Sequence, residues 1–331
     1  MNGTTIIGDG GWGTALGILL SRGGHGVTMW SHDANYVRLM QNERINPKFL
    51  PGIPLPADWT FETDPAAAVR EAEVIVLAVP SKFFRPTLER FAGLIPPSAA
   101  IVSVAKGLDQ NSRQRMTLVA EQALRHTPVA ALSGPSLASE VAHGTPTAVT
   151  IACADHNIAV KLQRHFNGPT FRVYTSDDVI GVEIGGALKN VIAIAAGISD
   201  GLGYGDNTKA ALVTRGLAEI IRIGIALGAR IETFAGLSGV GDLMVTCNSR
   251  LSRNHGVGER LGRGETMSDI LAAMEQVAEG VWTCRAARAL AHDVGIELPI
   301  TDQVYAVCHE GKDPRRAVIE LMARDPKPEK H

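Results

Sequence analysis

Cysteine is scarce and scattered in this sequence. There are four in 331 residues, Cys153, Cys247, Cys284 and Cys308, and no C-x-x-C pair. That spacing argues against a disulfide framework, a zinc site or a dithiol motif, and leaves buried or half-buried free thiols as the expectation. No metal site is expected. Charged residues make up 20% of the chain and the formal net charge is −2, so there is no electrostatic footprint for nucleic acid. No apolar run is read as long enough to span a membrane. No secretory signal is expected, because the first apolar run is itself a strand leading into Gly8. The composition, 45% hydrophobic, fits a cytoplasmic protein of about two domains.

Glycine, by contrast, is abundant, and its most telling cluster stands near the start: Ile6-Ile7-Gly8-Asp9-Gly10-Gly11-Trp12-Gly13-Thr14. An apolar strand, G-x-G-x-x-G and an apolar helix follow one another. Gly8 permits the tight turn, Gly10 leaves room for a pyrophosphate, and Gly13 lets the helix lie close to the strand. The helix N-terminus then offers free N–H groups to phosphate oxygens. A second strand, residues 26–30, follows at the spacing of a βαβ unit, so a dinucleotide is the expected ligand. Asp33 stands about 20 residues beyond the last glycine. It can serve a ribose hydroxyl or N-cap the helix that begins at Ala34. His32 beside it can face a 2′-phosphate or the adenine, so NAD and NADP both stay open.

Apolar runs at 74–79, 100–105, 129–132, 148–151 and 171–174 alternate with helical patterns such as 114–124. This rhythm predicts an α/β fold, a Rossmann-like doubly wound parallel sheet, over residues 1–178. The Pro-rich stretch 42–59 reads as a long loop, functional or mobile. Beyond 178, helix periodicity takes over, predicting an all-helical domain over 179–322. Its expected helices are a buried one at 182–198, one at 209–227 capped by Asn207 or Thr208, and others at 268–277 and 283–294. The polar, two-proline tail 323–331 is expected to fray.

Several polar residues interrupt this apolar pattern. Lys106 follows the strand at 100–105, where parallel sheets present ligand-binding side chains. Ser133-Gly134-Pro135-Ser136 follows the next strand. Ser136 can donate to an anion, but with Glu140 nearby an N-cap is favoured. Lys189 lies inside the most apolar helix of the chain, with Glu183 six residues back, and lysine is rarely buried unless paired. Desolvation would lower its pKa and make it a usable proton donor or acceptor. Asp242 can pair with it or bond a substrate hydroxyl. Arg253, in Ser252-Arg253-Asn254, offers a planar fork for phosphate. Val277-Ala278-Glu279-Gly280 reads as a helix end stopped by glycine, with Glu279 able to reach a cofactor.

Together these segments resemble the bacterial-type NAD(P)-dependent glycerol-3-phosphate dehydrogenases, nearly end to end. The resemblance implies a 6-phosphogluconate-dehydrogenase-like helical half, a homodimer, and NADP or NAD as cofactor, with NADPH ranked first. It implies that Gly8, Gly10, Gly11, Trp12, Gly13, His32, Lys106, Ala138, Arg253, Val277 and Glu279 meet the dinucleotide. It implies Lys106, Gly134, Ser136, Lys189, Asp242, Ser252, Arg253 and Asn254 around a phosphorylated ketone or alcohol. Lys189 would be the catalytic acid and base, supported by Asp242 and Lys106. The product would supply phospholipid synthesis. Two residues depart from the family pattern: Asp9, where a small apolar residue is usual, and His255 after Asn254. Two rivals are a 3-hydroxy-acid dehydrogenase of similar architecture and a non-catalytic NADP-binding redox sensor. A sensor has no need of Lys106, Lys189 and Asp242 together, and a nucleotide-sugar oxidiser would need a cysteine in these clusters.

Overall fold

The computed structural model describes residues 3–126, 128–274, 276–326 and 328–329. Residue 275 of the expected 268–277 helix, and residues 327, 330 and 331 of the expected fraying tail, lie outside the described residues. The strands are β1 (Gly3–Ile7), β2 (Gly26–Trp30), β3 (Ile45–Asn46), β4 (Leu50–Pro54), β5 (Thr60–Glu62), β6 (Val74–Leu77), β7 (Ala100–Ser103), β8 (Ala130–Ser133), β9 (Thr147–Ala152) and β10 (Phe171–Ser176). Eight of them form one sheet in the order β10-β9-β8-β7-β6-β1-β2-β5. Every residue of β6, β7 and β8 is buried, as strands covered by helices on both faces must be.

The sheet departs from the expected all-parallel one at its far side. β8 and β9 pair antiparallel, so β9 and β10 run against the rest. The helix between them, Ala138–His143, packs on the Gly11–Arg22 helix instead of crossing the sheet. The chain therefore turns back beside β8. The stretch 42–59 also differs from expectation. It contains the β3–β4 hairpin and is pinned down: Asn46 Nδ2 donates to the Asp9 carbonyl and to Thr14 Oγ1, each at 2.8 Å, and the Trp59 ring lies against Gly17.

After Ser176 the described elements are helical. The axis of this half is Val179–Gly201, capped by Asp178, whose Oδ1 accepts from Gly181 N at 2.9 Å. Contrary to the expectation from sequence, this helix is long and apolar enough to cross a membrane. It is a core helix instead, because 78% of its most apolar window is buried by its neighbours. It crosses the Arg253–Gly262 helix backbone to backbone. A Cβ on Gly197 would stand 2.0 Å from the His255 carbonyl oxygen, and one on Gly258 2.0 Å from that of Ile194.

Helix boundaries move in several places. The helix read at 114–124 is Met116–Leu124, and the one read at 268–277 is Met267–Ala272. The helix read at 209–227 is Asp206–Ala226; its N-cap is Gly205, and neither Asn207 nor Thr208 caps it. Val277–Gly280 is a helix start rather than an end, since Ala278 N-caps Glu279–Asp293. The expected buried thiols are found: all four cysteines are free and buried.

Candidate active site

Four neighbouring strands deliver the candidate residues to one edge of the sheet. The glycine turn follows β1, Ser81 follows β6, Lys106 follows β7, and Gly134 and Ser136 follow β8. In open sheets of this kind, ligands bind outside the carboxyl ends of the strands where the strand order reverses, here at β1 and β6.

The turn fits a dinucleotide. Gly8 has φ +112°, and a Cβ there would meet the Ala78 carbonyl oxygen at 2.6 Å. Gly13 touches Ala78 and Gly8 in the same way, which brings helix and strand together. Above Gly10 a Cβ would meet nothing within 4 Å. Gly10 is also the helix N-cap and offers no side chain to the first-turn N–H groups. Donors left free around open space suit a pyrophosphate. Trp12 Nε1, buried and without a partner among the described residues, is a further idle donor beside the turn. Ala138 lies beside Gly11. Asp33 is the N-cap of Ala34–Glu43: its Oδ1 accepts from Asn35 N at 2.9 Å and Tyr36 N at 3.1 Å. Those bonds, led by Tyr36, hold its pKa below the usual value. His32 is exposed just before it.

Lys106, Asp242 and Lys189 meet in one buried cluster. Asp242 Oδ2 receives Lys106 Nζ at 2.7 Å and Oδ1 receives Lys189 Nζ at 2.5 Å. Counting hydrogens separates the two lysines. Each ammonium has three. Lys106 directs its three at Asp242, Gly134 O (2.9 Å) and Ser136 Oγ (3.3 Å). Lys189 places two, on Asp242 and on Thr246 Oγ1 (2.8 Å), and keeps one uncommitted among the described residues. Burial brings the Lys189 pKa down to about 8, against the opposing pull of Asp242. Burial pushes Asp242 the other way, but the two ammonium groups more than reverse this and hold it low. Gly185 and Gly186 let this helix approach so closely: side chains there would strike Ser238 O and Ser133 Oγ, each at 2.5 Å.

A chain of carboxamides ties the cluster to the second half. Asn190 Nδ2 donates to Lys106 O at 3.0 Å, Asn254 Nδ2 to Asn190 Oδ1 at 2.9 Å, and Gly280 N to Asn254 Oδ1 at 2.8 Å. Ser252 N-caps the next helix through His255 N. Glu279 accepts from Ser81 N at 2.9 Å and from Ser81 Oγ. Burial raises its pKa despite these bonds. Val277 precedes it, half-buried. The Arg253 side chain stays open to solvent within a crowded cleft, and desolvation lowers its pKa against the pull of Glu279. His255, the second departure from the family pattern, turns away from the cluster and meets Asp200 Oδ2 at 2.8 Å.

One expectation fails here: Ser136 is not a cap. Leu137 takes that position, and the Ser136 hydroxyl donates to Gly134 O while accepting from Lys106. Glu183 takes no part in the lysine cluster; it binds Arg115 and Thr117. Thr246, Asn190 and Ser81 join the site without having been given a role in it. Thr246 had a signal, being four residues after Asp242 and so on the same helix face. Asn190 and Ser81 had none beyond adjacency to Lys189 and to a strand end.

Comparison with known proteins agrees with this geometry. Residues 3–159 match the family model described as NAD-dependent glycerol-3-phosphate dehydrogenase N-terminus, and residues 178–319 match the C-terminus of the same family. Glycerol-3-phosphate dehydrogenase [NAD(P)+] of Geobacter sulfurreducens is 49% identical over 328 residues, 98% of each chain. The protein of that name from Geobacillus thermodenitrificans is 48% identical over 99% of this chain and 97% of its own. A crystal structure of glycerol-3-phosphate dehydrogenase from Coxiella burnetii superposes with a TM-score of 0.94 at 40% identity, covering 98% of this chain and 99% of that one. A glycine turn, a two-lysine carboxylate cluster and matches over nearly the whole length place this chain in the NAD-dependent glycerol-3-phosphate dehydrogenase family.

Proposed function

We propose that this chain catalyses reversible hydride transfer between NAD(P)H and dihydroxyacetone phosphate, giving sn-glycerol 3-phosphate, with Lys189 as general acid and base. The observation that carries the reading is the one uncommitted Lys189 hydrogen beside the strand ends, on an ammonium whose pKa is about 8. When bound at the glycine turn, the reduced nicotinamide supplies the hydride. Lys189 Nζ gives its proton to the carbonyl oxygen as the carbonyl carbon gains hydride, so C=O becomes C–H and O–H. In reverse, neutral Lys189 takes that proton back. Asp242 stays ionised and keeps both ammonium groups in place, and Lys106, fully bonded, braces the Gly134–Ser136 turn.

Arg253 and Asn254 suit the phosphate end. Arg253 has an open guanidinium fork, and Asn254 retains one amide hydrogen beyond its bond to Asn190 among the described residues. Ser252, which caps this helix, shapes the same turn. The dinucleotide set is Gly8, Gly10, Gly11, Trp12, Gly13, His32, Ala138, Val277 and Glu279. We place the division between the cofactor half and the helical half at Asp178, the cap of the axial helix. A homodimer through the helical half and a cytoplasmic setting complete the reading. The free buried cysteines support the latter. The product is the phosphorylated glycerol from which phospholipids are built.

The test is loss of absorbance of the reduced nicotinamide on adding dihydroxyacetone phosphate. Lys189→Ala should lower kcat by about 10²–10⁴-fold and leave the cofactor Kd unchanged. Turnover near that of the parent protein would sink the assignment.

A further inference from the structure

Asp9 is the residue of the glycine turn that the family pattern leaves unexplained. β1 and β2 pair with Ile7 opposite Trp30, so the segments after them leave the sheet side by side. Asp9 uses that proximity: its Oδ2 accepts from Ser31 Oγ at 2.6 Å. Ser31 is the first residue after β2. From that strand end, folds of this kind usually present the carboxylate that holds the adenosine ribose. Here the residue at that place is a serine, and the nearest downstream carboxylate, Asp33, spends its Oδ1 on two backbone N–H groups as a helix cap. Asp9 Oδ1 has no partner among the described residues.

We propose that Asp9 is the cofactor-selecting residue of this protein: its carboxylate, carried by the turn after β1 and held by Ser31, stands in for the missing carboxylate after β2 and selects NADH over NADPH. This rests on the reading of the glycine turn as a dinucleotide site. An ionised carboxylate can only accept hydrogen bonds. Ribose hydroxyls are donors and suit it. A 2′-phosphate brings further acceptors and negative charge, and is repelled. The neighbouring bases give that phosphate little help. Arg38 is bonded to Ala34 O and Asn35 Oδ1, and Lys48 lies over the Phe49 ring. His32 stands beside the Asp33 carboxylate. The ranking of NADPH ahead of NADH, expected from the family resemblance, is thereby reversed.

Fluorescence titration of the full-length protein with NADH and with NADPH, without substrate, tests this. The parent protein should bind NADH about tenfold or more tightly than NADPH, a discrimination of the size one misplaced charge produces. Asp9→Ala and the isosteric Asp9→Asn should weaken NADH, tighten NADPH and bring the two Kd values within about threefold of each other. Thermal melts of both variants establish that they are folded; if Asp9→Ala is not, Asp9→Asn decides. Equal Kd values in the parent protein, or an unchanged ratio in the folded variants, would overturn the role of Asp9. A folded parent protein that binds neither cofactor would overturn the dinucleotide reading itself, a different result.

Discussion

At the scale of single residues, the decisive fact is that two lysines share one carboxylate but not one role. Lys106 has no hydrogen to spare, while Lys189 has one. With Lys189 as the proposed acid and base, its pKa of about 8 sets the expected pH behaviour. Ketone reduction needs the ammonium, so its kcat should fall as pH rises through about 8. Alcohol oxidation needs the neutral amine, so its kcat should rise over the same range. Asp242→Asn removes the charge that holds this pKa up, so both transitions should move to lower pH. Steady-state rates in both directions between pH 6 and 10 (a window of about two units either side of the transition) measure this. Parallel profiles in the two directions, or an upward shift in the variant, would exclude Lys189 as the titrating group. Lys189 was legible in the sequence because a charge inside an apolar helix demands a partner. Asp242 was one of two roles open from the sequence, as its partner or as a bond to a substrate hydroxyl; folding, which joins residues 53 apart, makes it the partner. Asp33 shows the converse. Its local pattern offered a cap and a ligand role, and the structure uses the cap.

At the scale of elements, glycine sets how closely helices approach. Gly197 and Gly201 on the axial helix face Gly258 and Gly262 on the Arg253–Gly262 helix, with backbone atoms 2.0 to 2.6 Å from where their Cβ atoms would be. That closeness brings Asn254 to Asn190. Gly197→Ala should therefore destabilise the protein by roughly 1–3 kcal/mol or more through overpacking. Gly256→Ala is the control. It lies in the same helix with open space around its Cβ position, and should be neutral or gain about 0.5–1 kcal/mol. Denaturant unfolding compares them; equal effects would mean that the crossing is not set by glycine. Helices and buried strands were readable from their apolar periods. Their starts were less so: Gly205 and Ala278 act as caps without side-chain bonds. The reversed direction of β9 was not readable, because it follows from where the preceding short helix packs.

At the scale of the whole molecule, the site exists because strand ends from the first half meet helices from the second. Lys106–Asp242, Ser81–Glu279 and Gln276–Lys48 all bridge the halves. The exposed large apolar residues lie mostly in the helical half, among them Ile225, Ile231, Met244, Leu251, Ile319 and Met322. Exposed apolar residues on this half are the side chains a homodimer through it, as proposed, would bury. Sedimentation should give a mass of roughly twice the 35.1 kDa chain, and charge placed at Ile319 and Met322 together should shift it towards the monomer. A parent protein that sediments at 35.1 kDa at micromolar concentration would refute the dimer.

The sequence by itself determined the classes: a glycine turn between strand and helix, a sheet half followed by a helical half, and a lysine too buried to be idle. These are local properties, written in backbone freedom and in apolar period. The tertiary structure alone decided which lysine keeps a free hydrogen, that Asn190 and Asn254 link the two halves, and that Asp9 faces Ser31. Those are distances between residues far apart in the chain, and packing rather than local propensity sets them.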